Sequence, residues 1–373
     1  MRGANRIYTT HAGSLPRAES PRPHEGDTHP REWDAEQDRV RRSVVSTVER
    51  QIEIGIDIVS DGEMSKSGFA AYAQERLAGF GGSSGPLMIA DLFDFPQAAR
   101  RIRPERRTTM PACIGRISYC GHNAVESDIQ NLRCGVERFG AHEAFVPAAS
   151  PGVLAYTFDN YYYRSSDDYL AALGEAMRTE YETISAAGFV LQIDAPDLAG
   201  GRHIAYADLT LHDFRAQIAA NVEVLNETLR NIPPDRVRLH LCWGNYPGPH
   251  HRDVELREII DIVMGVRAHT IVLEAANPRH AHEWKVFEET SLPDDKILAP
   301  GVIDTTSSHI EHPGLVAERI TRYANLIGRE RVIAATDCGF ATTGDLATIP
   351  AEIAWAKLES LVVGAQRASE RLW

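Results

Sequence analysis

Nine short β-rich runs recur along this chain, and most are separated by stretches of helical spacing. They are IYTTHAG (7–13), DIVSDGE (57–63), ACIGRIS (112–118), EAFVPAA (143–149), FVLQIDAP (189–196), VRLHLCWG (237–244), HTIVLEAA (269–276), KILAPGVID (296–304) and VIAATDCG (332–339). Helical spacing marks residues 32–54, 166–187, 211–230, 253–265, 312–328 and 350–368. Strands that alternate with helices cannot pair through tight hairpins; the crossovers place them side by side in a parallel sheet. About nine such units with no break in composition predict an α/β fold, a (β/α)8 TIM barrel with extra N-terminal and loop elements. An open doubly wound sheet is the alternative, and it is weakened because no GxGxxG follows the first run. The expectation is a single catalytic barrel domain over residues 1–373, with RLHLCWGN (238–245) on its sixth strand. The Gly-, Pro- and Arg-rich segments 18–31 and 80–110 read as excursions from the barrel that could serve as lids.

Composition narrows the function. A formal net charge of −13 repels phosphate backbones and anionic lipid, so no nucleic-acid or membrane partner is expected. The basic stretch RRIRPERR (100–107) reads as a solvated face or an anion contact. The polar start MRGANRIYTT lacks the apolar core of a secretory signal, and no run is long and apolar enough to span a bilayer. Five cysteines without framework spacing suggest a cytoplasmic protein with free or metal-bound thiols. Oligomeric state is not legible.

In a barrel the chemistry gathers at the C-terminal ends of the strands. Those ends carry His11, Ser14, Asp61, Glu63, Asp194, Asp197, His240, Cys242, Glu274, Asp304, Asp337 and Cys338. Asp61, Asp197 and Asp304 could equally cap the helices that follow. His240 and Cys242 stand two apart on a strand, so both point to one face. An imidazole and a thiol on one face are half of a tetrahedral zinc shell, and Glu274 and Cys338 at later strand ends complete it. Thiolate, imidazole and carboxylate suit Zn2+ better than Mg2+ or Ca2+. Ligands spread over separate strands at a barrel mouth favour catalysis over a structural role. Zinc deprotonates a thiol that binds it, and the thiolate is the nucleophile, so alkyl transfer to sulfur or its reverse is implied. Cys113, Cys120 and Cys134 have no such company and read as small buried hydrophobes. Trp243 reads as packing.

These residues match a known family. TTHAGSLPR (9–17), DGE (61–63), LQIDAPDLA (191–199), HLCWGN (240–245), VLEAANPR (272–279), GVID (301–304) and TDCG (336–339) occur in the order found in the cobalamin-independent methionine synthase superfamily, and the chain resembles its C-terminal catalytic barrel. The resemblance implies zinc ligands at His240, Cys242, Glu274 and Cys338. It implies thiol-substrate contacts at Gly13, Ser14, Glu63 and Asp194. Carboxylates at those two places suit an ammonium group. The chain departs from the full synthases in lacking the duplicated N-terminal barrel. It also carries GVIDTTSSH, with Thr306 where the family has the histidine that protonates a folate leaving group; His309 lies nearby but out of register.

The chain is similar to the short branch that includes epoxyalkane:coenzyme M transferases (2-hydroxypropyl-coenzyme M lyases). A sulfonate-bearing thiol would call for cations, for which Arg17, Lys66, His11 and His250 are the candidates. The leading expectation is zinc-dependent methyl or alkyl transfer to a small-molecule thiol. Epoxide opening by coenzyme M and a non-catalytic small-molecule-binding barrel are the alternatives.

Overall fold

The computed structural model describes residues 5–17, 30–66, 68–85, 87–102, 110–341 and 349–373. Its strands are β1 (Tyr8–Thr9), β2 (Ile58–Ser60), β3 (Leu77–Ser84), β4 (Met110–Tyr119), β5 (Glu143–Ala149), β6 (Val190–Asp194), β7 (Val237–Leu241), β8 (Thr270–Leu273), β9 (Ile297–Ile303) and β10 (Ile333–Thr336). Eight of them form one sheet in the order β1-β10-β9-β8-β7-β6-β5-β2, and every ladder in it is parallel. The two ends of that order meet. The Asp57 N–H donates to Thr9 O at 3.2 Å, and Thr10 Oγ1 donates to Ile58 O at 3.0 Å. The Asp57 carboxylate strengthens the seam by accepting the Thr9 N–H at 2.8 Å and the Thr9 hydroxyl at 3.0 Å. The result is the expected (β/α)8 barrel.

The ninth run is not a barrel strand. ACIGRIS lies in β4, which pairs antiparallel with β3 in a separate hairpin. Its burial alternates, as in a ribbon with one wet face, whereas β7 is buried throughout. Both segments have similar β-forming composition, and composition does not encode the pairing partner. The strand carrying His240 is therefore the fifth of the barrel, not the sixth. The hairpin is tied down by Arg76, which pairs with Asp128 and Glu180, while Tyr119 donates to Glu180 at 2.9 Å.

Helices Pro30–Glu53, Ser166–Ala186, Leu211–Thr228, Pro313–Ile327 and Ala351–Leu372 fall where the periodicity placed them. Two start on side-chain caps: Ser165 accepts the Asp168 N–H at 3.0 Å, and Thr210 accepts the Asp213 N–H at 3.1 Å. The 253–265 stretch instead breaks into a 3-10 turn (Leu256–Glu258) and a short helix (Ile260–Val263). Of the two excursions, residues 18–29 lie outside the described residues, as do 86 and 103–109, which include most of RRIRPERR. The described part of the second excursion contains short helices Ala90–Phe93 and Pro96–Ile102. Among the described residues no helix is long and apolar enough to cross a membrane.

Alternation along the strands sorts the core into two layers. Leu191, Ile193, Leu239, Leu241, Ile271 and Leu273 join the large cluster beneath the helices. Phe145, Val190, Val272, Ala299 and Ala335 form a smaller cluster inside the barrel. Arg238 is buried too, its guanidinium 3.9 Å over the Phe145 ring. Its Nη1 and Nη2 donate to Thr10 Oγ1 at 3.0 Å and His11 O at 2.7 Å.

Candidate metal centre and substrate rim

Ladder register builds the site. On neighbouring strands β6 and β7, Asp194 and His240 are register partners, so their side chains stand on the same face. His240 Nδ1 lies 3.0 Å from Asp194 Oδ1, which also accepts Gln192 Nε2 at 2.7 Å. A carboxylate on Nδ1 fixes the imidazole with Nε2 facing away from it. Cys242 follows just past the end of β7, and Cys338 just past the end of β10. One ligand atom from each of His240, Cys242 and Cys338 lies within 4.8 Å of the others, and all three residues are buried. His240 Nε2 is buried with no hydrogen-bond partner.

This set fits a metal ion. The two sulfurs are 3.6 Å apart. Two ligands about 2.3 Å from a tetrahedral Zn2+ would stand about 3.8 Å apart, whereas a disulfide requires about 2.05 Å. The orphaned nitrogen faces the same space. In the protein alone the sulfurs share their proton: the Cys242 S–H holds Cys338 well below the usual thiol range, and Cys242 is pushed up by that contact and by burial. Burial alone would lower the His240 pKa, but its contacts with Asp194 and Cys338 win and raise it to about 10.

Glu274 lies just past β8 and is buried. It is not one of the three clustered residues. Its Oε1 accepts the Trp243 N–H and its Oε2 accepts Asn277 Nδ2, both at 2.8 Å. It is near enough to the sulfurs to help raise Cys242. Asp337 organises this corner: its carboxylate accepts the N–H groups of Ala275, Ala276 and Asn277 at 2.8–2.9 Å. Burial first, then the nearby Glu274 charge, push its pKa up to about 7.

The predicted substrate residues border this centre. Gly13 has φ +145°, and a Cβ there would stand 2.6 Å from Glu63 Oε1, so glycine leaves room for that carboxylate. Glu63 itself sits at φ 58°, a left-handed conformation held by its N–H bond to Asp61 Oδ1 at 2.9 Å. Its pKa is raised to about 7, chiefly by burial, with Lys66 opposing and Asp194 and Asp61 adding to the rise. Asp194 keeps 28% of its side chain accessible, so it can hold His240 and still face a ligand. Ser14 accepts the Phe340 N–H on its carbonyl at 2.7 Å and the Ala341 N–H on its hydroxyl at 3.2 Å, tying the first strand's loop to the last.

Other expectations sort clearly. Lys66 is buried, donates to Pro147 O at 2.6 Å and faces Glu63 and Asp61; Arg17 bonds the Lys66 carbonyl. His11 lies 2.8 Å from Gln51 Oε1, and burial lowers its pKa to about 4. Neither His11 nor Lys66 is free to meet a sulfonate. Thr306 donates through both its hydroxyl and its N–H to Asp304 Oδ1, at 2.7 and 2.8 Å, while His309 is exposed. Asp197 accepts Ser150 Oγ at 2.5 Å and Asn221 Nδ2 at 2.9 Å, tying three segments together rather than binding metal. Trp243 is packed, its Nε1 donating to Val254 O at 2.7 Å. Cys113 is buried as expected, but Cys120 and Cys134 are exposed. They lie on a strand-end turn and a helix face, and residue type alone does not report which face is wet.

Several participants had escaped the sequence reading. Gln192 links Asp194 to Ala12 O at 2.7 Å, and its place two residues before Asp194 could have revealed it. Asn245 donates to Gly339 O at 2.6 Å and accepts Thr305 Oγ1 at 3.0 Å. Beneath the centre lies a second buried group around Asp253. His203 Nδ1, His250 Nδ1 and His280 Nε2 lie 3.0–3.1 Å from its oxygens, and His280 Nδ1 lies 2.8 Å from Glu283. The His280 ring lies 4.2 Å from that of Trp243. These residues come from loops and single helical turns, where strand periodicity is silent.

A family model described as the catalytic domain of cobalamin-independent synthases matches residues 7–88 and 160–360. The chain is 25% identical over 328 residues to a methionine synthase of Thermococcus kodakarensis, covering 88% of this chain and 82% of that one. It is 24% identical over 343 residues to an uncharacterised Bacillus subtilis protein, covering 89% and 86%. Among solved structures, a B12-independent methionine synthase from Shewanella sp. W3-18-1 in complex with selenomethionine superposes with a TM-score of 0.73 at 19% identity, covering 98% and 99%. That likeness shows the shared fold.

Proposed function

Because the chain belongs to the family of cobalamin-independent synthase catalytic domains, we propose that it is a zinc-dependent enzyme transferring a methyl or other alkyl group to the sulfur of a small-molecule thiol. The methionine synthases among its relatives support the methyl group and an amino-acid thiol. The observation that carries the metal is the buried, partnerless Nε2 of His240 beside two thiols 3.6 Å apart. His240, Cys242 and Cys338 would hold the ion, with Glu274 as the fourth donor and residues 1–373 acting as one catalytic unit. Zinc, when bound, supplies a Lewis acid that lowers the pKa of a substrate thiol toward neutrality.

The protein's own residues do the rest. Asp194 orients the His240 ring and keeps its Nδ1 occupied. Asp337 fixes the loop that carries Glu274. Glu63 and the exposed edge of Asp194 present carboxylates to the ammonium of an amino-acid thiol, while Gly13 and Ser14 bound its other side. Closely packed strand ends exclude water from the sulfurs, so a nucleophile formed there is not solvated away.

The test is metal analysis after gentle purification, on the wild type and on Cys242→Ser and Cys338→Ser, together with a screen of thiols against methyl and epoxide donors. Stoichiometric zinc lost in both variants, with methyl transfer to a thiol, is expected. A wild type without zinc overturns the proposal.

A further inference from the structure

A cavity of about 220 Å3 opens beside the metal centre, lined by Ala90, Arg202, His203, Ala207 and Arg252. Its lining residue His203 borders the loop that follows Cys242. A Cβ on Gly244 would lie 4.0 Å from His203 Nε2, and the Gly244 N–H itself donates to Cys242 Sγ at 3.2 Å. Ala90 belongs to the stretch 89–159 that the family model leaves unmatched.

Arg202 is the unusual member. Its Nη1 donates to two main-chain carbonyls, Tyr206 O at 2.8 Å and Ala207 O at 3.3 Å. Among the described residues no carboxylate pairs with it. Those carbonyls fix the planar guanidinium without neutralising it and leave Nε and Nη2 to face a ligand. On the opposite wall, Arg252 gives Nε and Nη2 to Asp94 at 2.7 and 2.8 Å, which leaves its Nη1. A guanidinium held in place but not neutralised matches the two oxygens of a carboxylate or the fork of a sulfonate. In a chain of net charge −13, an anionic ligand also needs such a local cation to approach.

We propose that this cavity is an oxyanion subsite, in which Arg202, assisted by Arg252, holds the carboxylate or sulfonate end of a co-substrate whose reacting end faces Cys242 and Cys338. The assignment of the reacting end rests on the function proposed above; the oxyanion contact does not need the metal. Of the cations that the sequence suggested for an anionic substrate, Lys66, His11 and His250 are engaged elsewhere, and Arg17 bonds the Lys66 carbonyl and faces the carboxylates of Glu63 and Asp61, so Arg202 is the better-placed cation for an anion in this cavity.

The experiment titrates metal-free protein at low ionic strength with butyrate and with butyramide, its neutral counterpart. Butyrate is expected to bind at least about tenfold more tightly, the scale of a charge-assisted hydrogen bond. Arg202→Gln should abolish that difference without changing butyramide binding, and Arg252→Gln should reduce it less. If Arg202→Gln unfolds, Arg202→Lys, which keeps the charge but loses the fork, should retain a weaker preference. Equal binding of the two probes to wild type, no butyrate binding, a preference that survives Arg202→Gln, or a preference undiminished in Arg202→Lys overturns the subsite. A second arm uses zinc-loaded protein with 3-mercaptopropionate and its amide. Preference for the acid places the oxyanion on the thiol, and equal affinities place it on the alkyl donor. If butyrate binds but neither thiol does, the reading of the metal centre fails and the subsite stands.

Discussion

Two buried histidine groups lie side by side at this barrel mouth, and they have opposite characters. Around Asp253, three imidazoles surround one carboxylate, and His280 also meets Glu283. At the strand ends, His240 has a carboxylate on one nitrogen, while the other has no hydrogen-bond partner and faces the sulfurs. In the first group every imidazole faces a carboxylate oxygen of Asp253, although His203 Nδ1 and Asp253 Oδ1 approach to 3.1 Å without a hydrogen bond. The second leaves an imidazole nitrogen and two sulfurs facing one point. The difference teaches that a ligand site is recognised by donors left unsatisfied together, not by a count of histidines.

Substitutions can break or sharpen that contrast. The largest effect is expected for Cys242→Ser or Cys338→Ser. Spread over four ligands, typical structural-zinc binding energies give each about 3–4 kcal/mol, so zinc affinity should fall by about a thousandfold in a chelator competition, while thermal unfolding of the metal-free protein changes little. Asp253→Asn should do the reverse. Removing a buried charge from between histidines costs about 3 kcal/mol of stability in denaturant titration, with zinc stoichiometry retained. Loss of zinc in that variant would mean that the two groups act as one.

Asp194→Asn tests one link between the proposed metal centre and the substrate rim. A carboxylate behind a metal-binding histidine contributes about tenfold to a hundredfold in affinity, so zinc should weaken by that amount and thiol KM should rise with it. Asp337→Asn should weaken the loop behind Glu274 by about 1–3 kcal/mol, visible as faster amide exchange at Ala275 and Ala276.

The smallest effect is in pH. Glu63 has its pKa raised to about 7, whereas Asp253, despite burial, is held down to about 2 by its histidines. A carboxylate with a lowered folded-state pKa contributes stability that is complete above its unfolded value near 4 and is lost only as pH falls toward 2. The Asp253 contribution is therefore constant between pH 5 and 8. Glu63 protonates within that window, so affinity for an amino-acid thiol should fall about fivefold from pH 7 to 6, once thiol ionisation is corrected for. Glu63→Gln should flatten the profile.

Much of the barrel was legible because parallel strands buried on both faces leave strong periodic signals, and eight of the nine runs became barrel strands. The run at 112–118 misled because antiparallel and parallel strands draw on the same residues. The clustered donors His240, Cys242 and Cys338, proposed as metal ligands, were legible because they stand at strand ends, where the fold fixes their direction. Glu274 was legible as a neighbour of that centre, and its two hydrogen bonds came only with the structure. Arg202, His203 and Asp253 were not legible, since a single helical turn (Gly201–Ile204) and a loop carry no period, and His203 meets Asp253 fifty residues away.

By itself, then, the sequence determined the alternation of strand and helix, the identity of the donors at the strand ends, and the absence of charge that would favour nucleic acid. Tertiary structure alone decided which strand neighbours which, that Asp194 stands in register with His240, and that no carboxylate among the described residues pairs with Arg202. The reason is physical. Periodicity is a property of a segment, whereas register, burial and charge compensation exist only between segments once the barrel has closed.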